Sequence, residues 1–187
     1  MSNQFGIHGV KGAKEAQRIL NKTVGKNICA YCGKEIDLSS DDWSTEHIVP
    51  RAVAKWISIK EGKNVKGLIR KLSENTNFLI IHKECNIDKG STILTIEEIE
   101  ANENLTDEGK EAIKRYIKDT EKEIEEYRGV LKKILAKQNY RCFRCKEDLE
   151  IQDCTLRRKD VAKKRSCENA VGLCKECNKL FWSMQRK

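Results

Sequence analysis

Residues 44–51 read S-T-E-H-I-V-P-R, and residues 77–90 read N-F-L-I-I-H-K-E-C-N-I-D-K-G. The alternation that runs up to the proline of the first stretch predicts a short strand that carries Glu46 and His47. The second stretch opens with an apolar run typical of a strand, and we expect it to become helical after Asn86. Together the two stretches predict a small module that sets a carboxylate beside an imidazole.

Four short Cys and His pairs predict two zinc sites. Zinc takes four thiolate or imidazole ligands in a tetrahedron, and two x-x pairs on separate turns supply that geometry. A redox role for such pairs would need a βαβ context, which the sequence does not show. The two predicted ligand sets are Cys29, Cys32, His82 and Cys85, and Cys142, Cys145, Cys174 and Cys177. Cys154 and Cys167 lie outside both sets and are expected to be buried or spare thiols.

The composition predicts a soluble chain with a thin core. Of the 187 residues, 39% are hydrophobic, 6% are aromatic and 35% are charged. Small modules of this kind need staples, and structural zinc, worth about 10–16 kcal/mol and coupled to folding, would provide them. The sequence shows no secretory signal and no apolar run as long as a membrane span. We therefore expect a cytoplasmic protein with reduced cysteines and no membrane partner.

The net charge of +8 is unevenly distributed along the chain. Residues 1–90 carry a net +5, residues 91–128 carry −6, and residues 129–187 carry +9. Two basic regions separated by an acidic one favour a polyanionic partner, with nucleic acid as the leading candidate. Charge alone is explained equally well by a solvated, lysine-rich surface.

Helical periodicity predicts the elements outside the two opening stretches. We expect a short basic helix over residues 10–23, two helices within residues 51–74, and a short helix that a capping box opens at Thr95. Over residues 106–137 the pattern predicts one long helix. Such a helix would join two modules, and it could also pack against a partner protein or a second copy of the chain.

The combined pattern resembles the HNH endonuclease family, whose fold is a ββα-metal finger. The resemblance covers about residues 28–91 and rests on C-x-x-C, then E-H-I-V-P-R, then N-F-L-I-I-H-K-E-C-N-I-D-K-G. The sequence departs from the family pattern in two places. Glu46 stands where Asp is common, which lengthens the metal arm but keeps its charge, and His82 replaces the commoner third Cys.

The resemblance implies a role for each matching residue. His47 would be the general base, a task that suits a neutral imidazole near pH 7. Glu46 and the amide oxygen of Asn86 would hold a catalytic divalent cation such as Mg²⁺, which takes oxygen ligands. Asn77 would fix the loop that orients His47. Phosphate contacts would come from Arg51 and Lys89.

The C-terminal region resembles an altered second copy of the first module. An asparagine precedes the second ligand pair by five residues in both, and residues 153–158 can be laid over residues 46–51. In that register Cys154 takes the place of His47, and a thiol cannot serve as the same base near neutral pH. The alternative is that only the zinc knuckles recur. In either case we expect no second active site. We do expect basic side chains that contact phosphate without reading sequence, and these are Arg157, Arg158, Lys163, Lys164 and Arg165.

We therefore expect an α+β protein in three consecutive parts. These are a nuclease domain with a basic N-terminal helix over residues 1–94, a helical connector over residues 95–138, and a degenerate zinc-binding module over residues 139–187. The expected activity is metal-dependent hydrolysis of phosphodiester bonds, with DNA favoured over RNA on family grounds. The alternative is a non-catalytic zinc module that binds nucleic acid or belongs to a larger assembly. The enzyme is favoured because zinc binding alone requires none of Glu46, His47, Asn77 and Asn86.

Overall fold

The computed structural model describes residues 12–59 and 65–184 of the chain. Within these residues it is an α+β protein with eight α-helices and two small antiparallel sheets, which confirms the predicted fold class. The helices are α1 (Ala13–Thr23), α2 (Ala52–Ile57), α3 (Lys66–Lys71), α4 (Lys83–Lys89), α5 (Ile96–Glu100), α6 (Asp107–Asp119), α7 (Glu121–Ala136) and α8 (Lys175–Met184). The strands are β1 (Trp43–His47), β2 (Phe78–His82), β3 (Thr155–Arg158) and β4 (Ala170–Leu173). None of the helices in the described part has the length and apolar character of a membrane span.

The elements predicted around the two opening stretches are confirmed, with small shifts at their ends. The helix expected after Asn86 begins already at Lys83, directly behind β2. Thr95 opens α5 with a complete capping box, since its hydroxyl accepts from the Glu98 N–H at 3.1 Å and its own N–H donates to the Glu98 carboxylate at 2.7 Å. The start of the basic helix, predicted at Val10, lies outside the described residues.

The single long helix predicted over residues 106–137 is wrong. The chain forms α6 and α7 instead, and between them Thr120 adopts φ −117° and ψ 10°, which is not helical. The helical periodicity continues across Thr120, but the two helices bury their apolar faces in different cores. Ile113 and Tyr116 of α6 and Ile124 and Tyr127 of α7 are all buried.

The chain packs as two compact units that alternate along the sequence. The first unit comprises Met1–Ile48, Arg70–Asn86 and Leu94–Asp119. The second unit comprises Val49–Ile69, Ile87–Ile93 and Thr120–Lys187. The division into three consecutive domains stays a prediction.

The core of the first unit is built on β2. This strand pairs antiparallel with β1, and its first four residues are buried because α1 packs against it. Helix α6 lies against α1 so closely that a Cβ at Gly109 would stand 2.2 Å from the Thr23 carbonyl oxygen. The same oxygen accepts a hydrogen bond from the Thr106 N–H at 3.0 Å. This close approach explains why a glycine lies inside the first turns of α6.

The core of the second unit is built on α7. Its buried face contacts both α2 and β4, and β4 pairs antiparallel with β3. The buried side chains of α7 are Ile124, Tyr127, Val130, Leu131, Ile134 and Leu135. Each unit therefore supports a two-stranded sheet on its own helices.

Candidate functional site

The four predicted ligands of the first unit lie together. Their ligand atoms are all within 4.8 Å of one another, and the Sγ of Cys32 is 3.3 Å from Nδ1 of His82. Cys29 and Cys32 stand on one tight turn, His82 ends β2, and Cys85 lies in α4. The predicted ligand set is thus confirmed as a compact cluster of three thiols and one imidazole.

The donors of this cluster suit zinc. The Glu35 carbonyl can only accept, so Nε2 of His82 donates to it, at 3.0 Å, and Nδ1 faces the thiols. Backbone carbonyls commonly fix metal-binding histidines in this way. Burial raises the pKa of Cys32, but the Lys34 backbone N–H and the neighbouring ligands lower it, with a result of about 7. Three thiols and one oriented imidazole match a structural zinc site.

The second unit holds the other predicted cluster, made of four thiols whose sulfur atoms lie within 4.8 Å of one another. The Cys174 N–H donates to the Cys142 sulfur at 3.4 Å, and the sulfurs of Cys145 and Cys174 are 3.9 Å apart. Burial raises the pKa of Cys142, whereas backbone N–H groups from Cys174, Cys145 and Arg144 lower it, with a result of about 6. Burial raises the pKa of Cys174 and Cys177. Four thiols in this arrangement also suit zinc.

The two remaining predicted thiols belong to neither cluster. Cys154 is buried, and burial is the main cause that raises its pKa to about 12. With so high a pKa, the Cys154 thiol stays protonated near neutral pH and does not attack or bind metal readily. Cys167 is partly buried.

Glu46 and Asn86 approach the same face of β1. Glu46 is buried, with 4% of its surface exposed. The side-chain N–H of Asn86 donates to the Ser44 hydroxyl at 2.9 Å. Because residues two apart in a strand point to the same side, Ser44 and Glu46 share a face. Asn86 turns its donors to that face, so its amide oxygen is the atom that it can offer to a cation.

Asn77 and Phe78 hold the chain around His47. Asn77 is fully buried and donates from its side chain to the Leu72 carbonyl at 2.9 Å, while its own carbonyl accepts from the Ile48 N–H at 2.9 Å. Phe78 packs edge-on to the His47 ring, with centroids 5.0 Å apart and planes at 87°. Ile48, which follows His47, is therefore hydrogen-bonded to Asn77, and Phe78 packs against one side of the imidazole ring.

Two residues near the Glu46 carboxylate, Tyr31 and Ser44, were not predicted from the sequence. Tyr31 lies between the two knuckle cysteines, and its hydroxyl is buried without a hydrogen-bond partner among the described residues. Burial is the main cause that raises the Tyr31 pKa, and the Glu46 carboxylate adds to it, which places the two groups close together. Ser44 is the other, and the period of two along β1 could have indicated it.

The two phosphate contacts predicted beside the first module fall in the second unit. Lys89 is only 7% exposed, and its ammonium donates to the Thr92 carbonyl at 2.6 Å. Because the ammonium already binds a carbonyl of its own loop, it is not turned to a phosphate in this structure. The contact of Lys89 with phosphate stays a prediction. Arg51 is partly buried at the start of α2, and its Nε has no hydrogen-bond partner among the described residues.

Four basic side chains of the second unit form a cationic cluster, which we define as Arg51, Lys55, Arg157 and Arg165. The guanidinium of Arg165 lies 5.8 Å from the centroid of the ring of Trp56, the residue that follows Lys55. Burial, and then the charges of the three arginines, lower the pKa of Lys55. Lys55 was not among the predicted contacts, because Arg157 and Arg165 are far from it in sequence.

The other predicted basic contacts of the second unit are arranged differently. Arg158 donates to the Lys163 carbonyl at 3.1 Å, and the Lys163 ammonium lies 3.7 Å from the Asp160 carboxylate. Lys164 is exposed. Their contact with phosphate stays a prediction.

The two sheets can be aligned through their zinc ligands. Ser44 pairs with the residue that precedes His82, and Thr155 pairs with the residue that precedes Cys174. Ser44 and Thr155 therefore occupy equivalent positions. This register is set by backbone hydrogen bonds and not by sequence similarity.

The alignment corrects the predicted overlay of the second copy. Two positions beyond Thr155, Arg157 stands where the first unit has Glu46, and Arg158 stands where it has His47. Cys154, which the sequence overlay put in the place of His47, precedes β3. The overlay was wrong because the loop before the second strand pair has a different length, and matching letters could not reveal the register.

A pair of backbone hydrogen bonds supports the same alignment. The Ile48 N–H donates to the Asn77 carbonyl at 2.9 Å, and the Lys159 N–H donates to the Asn169 carbonyl at 2.8 Å. Each links the residue after the first strand to the asparagine before the second strand. The C-terminal region is thus a structural copy of the first ββα unit with different residues at its site.

No protein-family model, no curated protein and no solved structure matches the chain. Any assignment of function therefore depends on the site residues described above.

Proposed function

We propose that the first unit is a metal-dependent endonuclease site that hydrolyses phosphodiester bonds in nucleic acid. DNA is the expected substrate on the grounds of the family resemblance. Zinc on Cys29, Cys32, His82 and Cys85 would serve structure, because four protein ligands fill its tetrahedron. The reacting groups would then be those of β1 and α4.

The observation that most supports this proposal is the hydrogen bond of Asn86 to Ser44. It places the side-chain amide of Asn86, through its N–H group, on the face of β1 that carries Glu46, and the amide oxygen of the same group would be the second ligand. Two oxygen donors on one face suit a divalent cation that keeps several waters, as Mg²⁺ does. A carboxylate as buried as Glu46 also gains from a cation beside it.

His47 would take the proton in this proposal. It ends β1, and by the alternation of a strand it faces the side opposite to Glu46, so the scissile phosphate would lie across the end of β1. His47 would accept a proton from water, the resulting hydroxide would form a bond to phosphorus, and the bond to the leaving oxygen would break. A cation held by Glu46 and Asn86 would stabilise the charge that develops in this reaction.

Plasmid cleavage by the full chain with Mg²⁺ or Mn²⁺ tests the proposal. His47→Ala should slow cleavage by at least about 100-fold, the lower end of the usual contribution of a general base. Glu46→Gln should also slow it, because it removes the charged ligand of the cation. The matched control is Glu84→Gln, which removes the same charge from an exposed residue of α4. Equal cleavage by wild type and His47→Ala, at unchanged zinc content, would contradict the proposal.

A second candidate is a zinc-stabilised module that binds nucleic acid without cleaving it. The observation that favours it is the second unit, where two arginines replace the carboxylate and the imidazole. In that case plasmid is bound but stays supercoiled with every cation tested. The same cleavage assay therefore separates the two candidates.

A further inference from the structure

The second unit inverts the charge at the position of the proposed cation site. Arg157 stands where the first unit has Glu46, and its Nε donates to the side-chain oxygen of Asn178 at 2.8 Å. Asn178 directly follows the last zinc ligand, as Asn86 does in the first unit. The pair of carboxylate and amide is thus replaced by a pair of guanidinium and amide.

The charges of Lys55 and Arg165 interact with this guanidinium. Lys55 and Arg165 are exposed, while Arg51 and Arg157 are partly buried, so part of the cluster is open to solvent. The buried Nε of Arg51 has no hydrogen-bond partner among the described residues. A buried donor without a partner is costly, and a bound acceptor would satisfy it.

The energetics of the cluster favour an anion. The charges of Arg165, Arg51 and Arg157 add to burial in lowering the pKa of Lys55. Burial also lowers the pKa of Arg157, to about 10; Tyr127 opposes this shift and Arg165 adds to it. Burial is thus the largest cause of both shifts, and like charge adds to it. An oxyanion between these side chains would reverse the effect.

We infer that Arg51, Lys55, Arg157 and Arg165 form a binding site for the phosphodiester backbone of nucleic acid, in which a guanidinium takes the place of the cation in the first unit. Guanidinium groups bind phosphate oxygens through paired N–H donors. Arg158, at the position of His47, has no acceptor for a proton and so cannot activate water. The second unit would hold the strand without cutting it. This inference depends on the proposed function only for the choice of nucleic acid as the ligand.

Binding of a labelled 20-base-pair DNA duplex, measured by fluorescence anisotropy without added divalent cation, tests the inference. The protein carries His47→Ala, so that cleavage cannot interfere. Lys55→Gln and Arg165→Gln, both exposed, should each weaken binding about tenfold at low salt and reduce the slope of log K against log salt by about one. The control Lys132→Gln removes the same charge from an exposed residue of α7 outside the cluster.

The outcomes separate the inference from the proposed function. Loss of affinity in both cluster variants, with little change in Lys132→Gln, supports the site even if the wild-type chain cleaves no plasmid. An equal loss on an RNA duplex of the same length also supports it, because the backbone and not the bases is bound. Affinities of Lys55→Gln and Arg165→Gln that match the control overturn it, whatever the cleavage assay shows.

Discussion

The two units share one scaffold and differ in the chemistry of one strand pair. Both have a turn with two ligands, an antiparallel pair of strands, and a helix that carries the last ligand. On the first strand, Glu46 and His47 of the first unit correspond to Arg157 and Arg158 of the second. The same ligand clusters and the same backbone register thus occur with opposite charges at these two strand positions.

The cores beneath the two strand pairs also differ. The middle of β2 holds the buried Ile80, and the equivalent residue of β4 is Gly172. A Cβ at Gly172 would lie 2.8 Å from the Cys154 sulfur and 2.9 Å from Leu135. In the second unit, a thiol and a leucine of α7 thus fill the space that an isoleucine fills in the first.

Loss of a zinc ligand should produce the largest effect. Cys85→Ser and Cys177→Ser should each lower the zinc content from about two ions per chain to about one and destabilise their own unit by up to about 10 kcal/mol. Elemental analysis and thermal unfolding measure both effects. Cys167→Ser is the control, because this thiol belongs to neither cluster. A control that also loses zinc would contradict the two-cluster scheme.

Exchange of charge between the units should have the next largest effect. Glu46→Arg, which copies the second unit, should lower plasmid cleavage at least about 100-fold at full zinc content, because a guanidinium excludes a cation. Arg157→Glu should not restore cleavage to a His47→Ala protein, since Arg158 cannot act as a base. Cleavage by the double variant would show that the second unit contains a base that its register does not indicate.

Glycines of α6 and α7 offer a matched pair, one in each unit. Gly109→Ala should destabilise the first unit by about 3 kcal/mol, because the new Cβ would clash with a backbone oxygen of α1. Gly129→Ala meets no atom within 4 Å and should stabilise the second unit by about 0.5–1 kcal/mol through helix propensity. Urea unfolding curves measure the two changes, and a neutral Gly109→Ala would contradict the close packing of α1 and α6.

The turns of the zinc knuckles should show the smallest effect. Gly33 and Lys146 occupy the same position after the second cysteine, with φ of 68° and 66°. A side chain is strained in this region, so Lys146→Gly should stabilise the second unit by up to about 1 kcal/mol. Gly33→Ala should destabilise the first by at least as much, since its Cβ would lie 2.7 Å from the Asn104 side chain. Opposite signs in thermal unfolding would confirm the comparison.

The zinc ligands show how far local spacing reaches. Each pair lies on one tight turn, so its geometry depends on a few residues and can be predicted from the sequence. Even His82, which departs from the four-cysteine pattern, lies in its predicted cluster. The strands and the α+β class follow for the same reason, because period and capping are local properties.

The sequence by itself thus determined the two ligand sets, the α+β class and the short strand that carries Glu46 and His47. Only the tertiary structure decided the break at Thr120, the register of the second strand pair, and the meeting of Lys55 with Arg157 and Arg165. The physical reason is that these features depend on contacts between residues far apart in the chain. Periodicity cannot show which core a helix faces, and a strand's letters do not show which residue it pairs with.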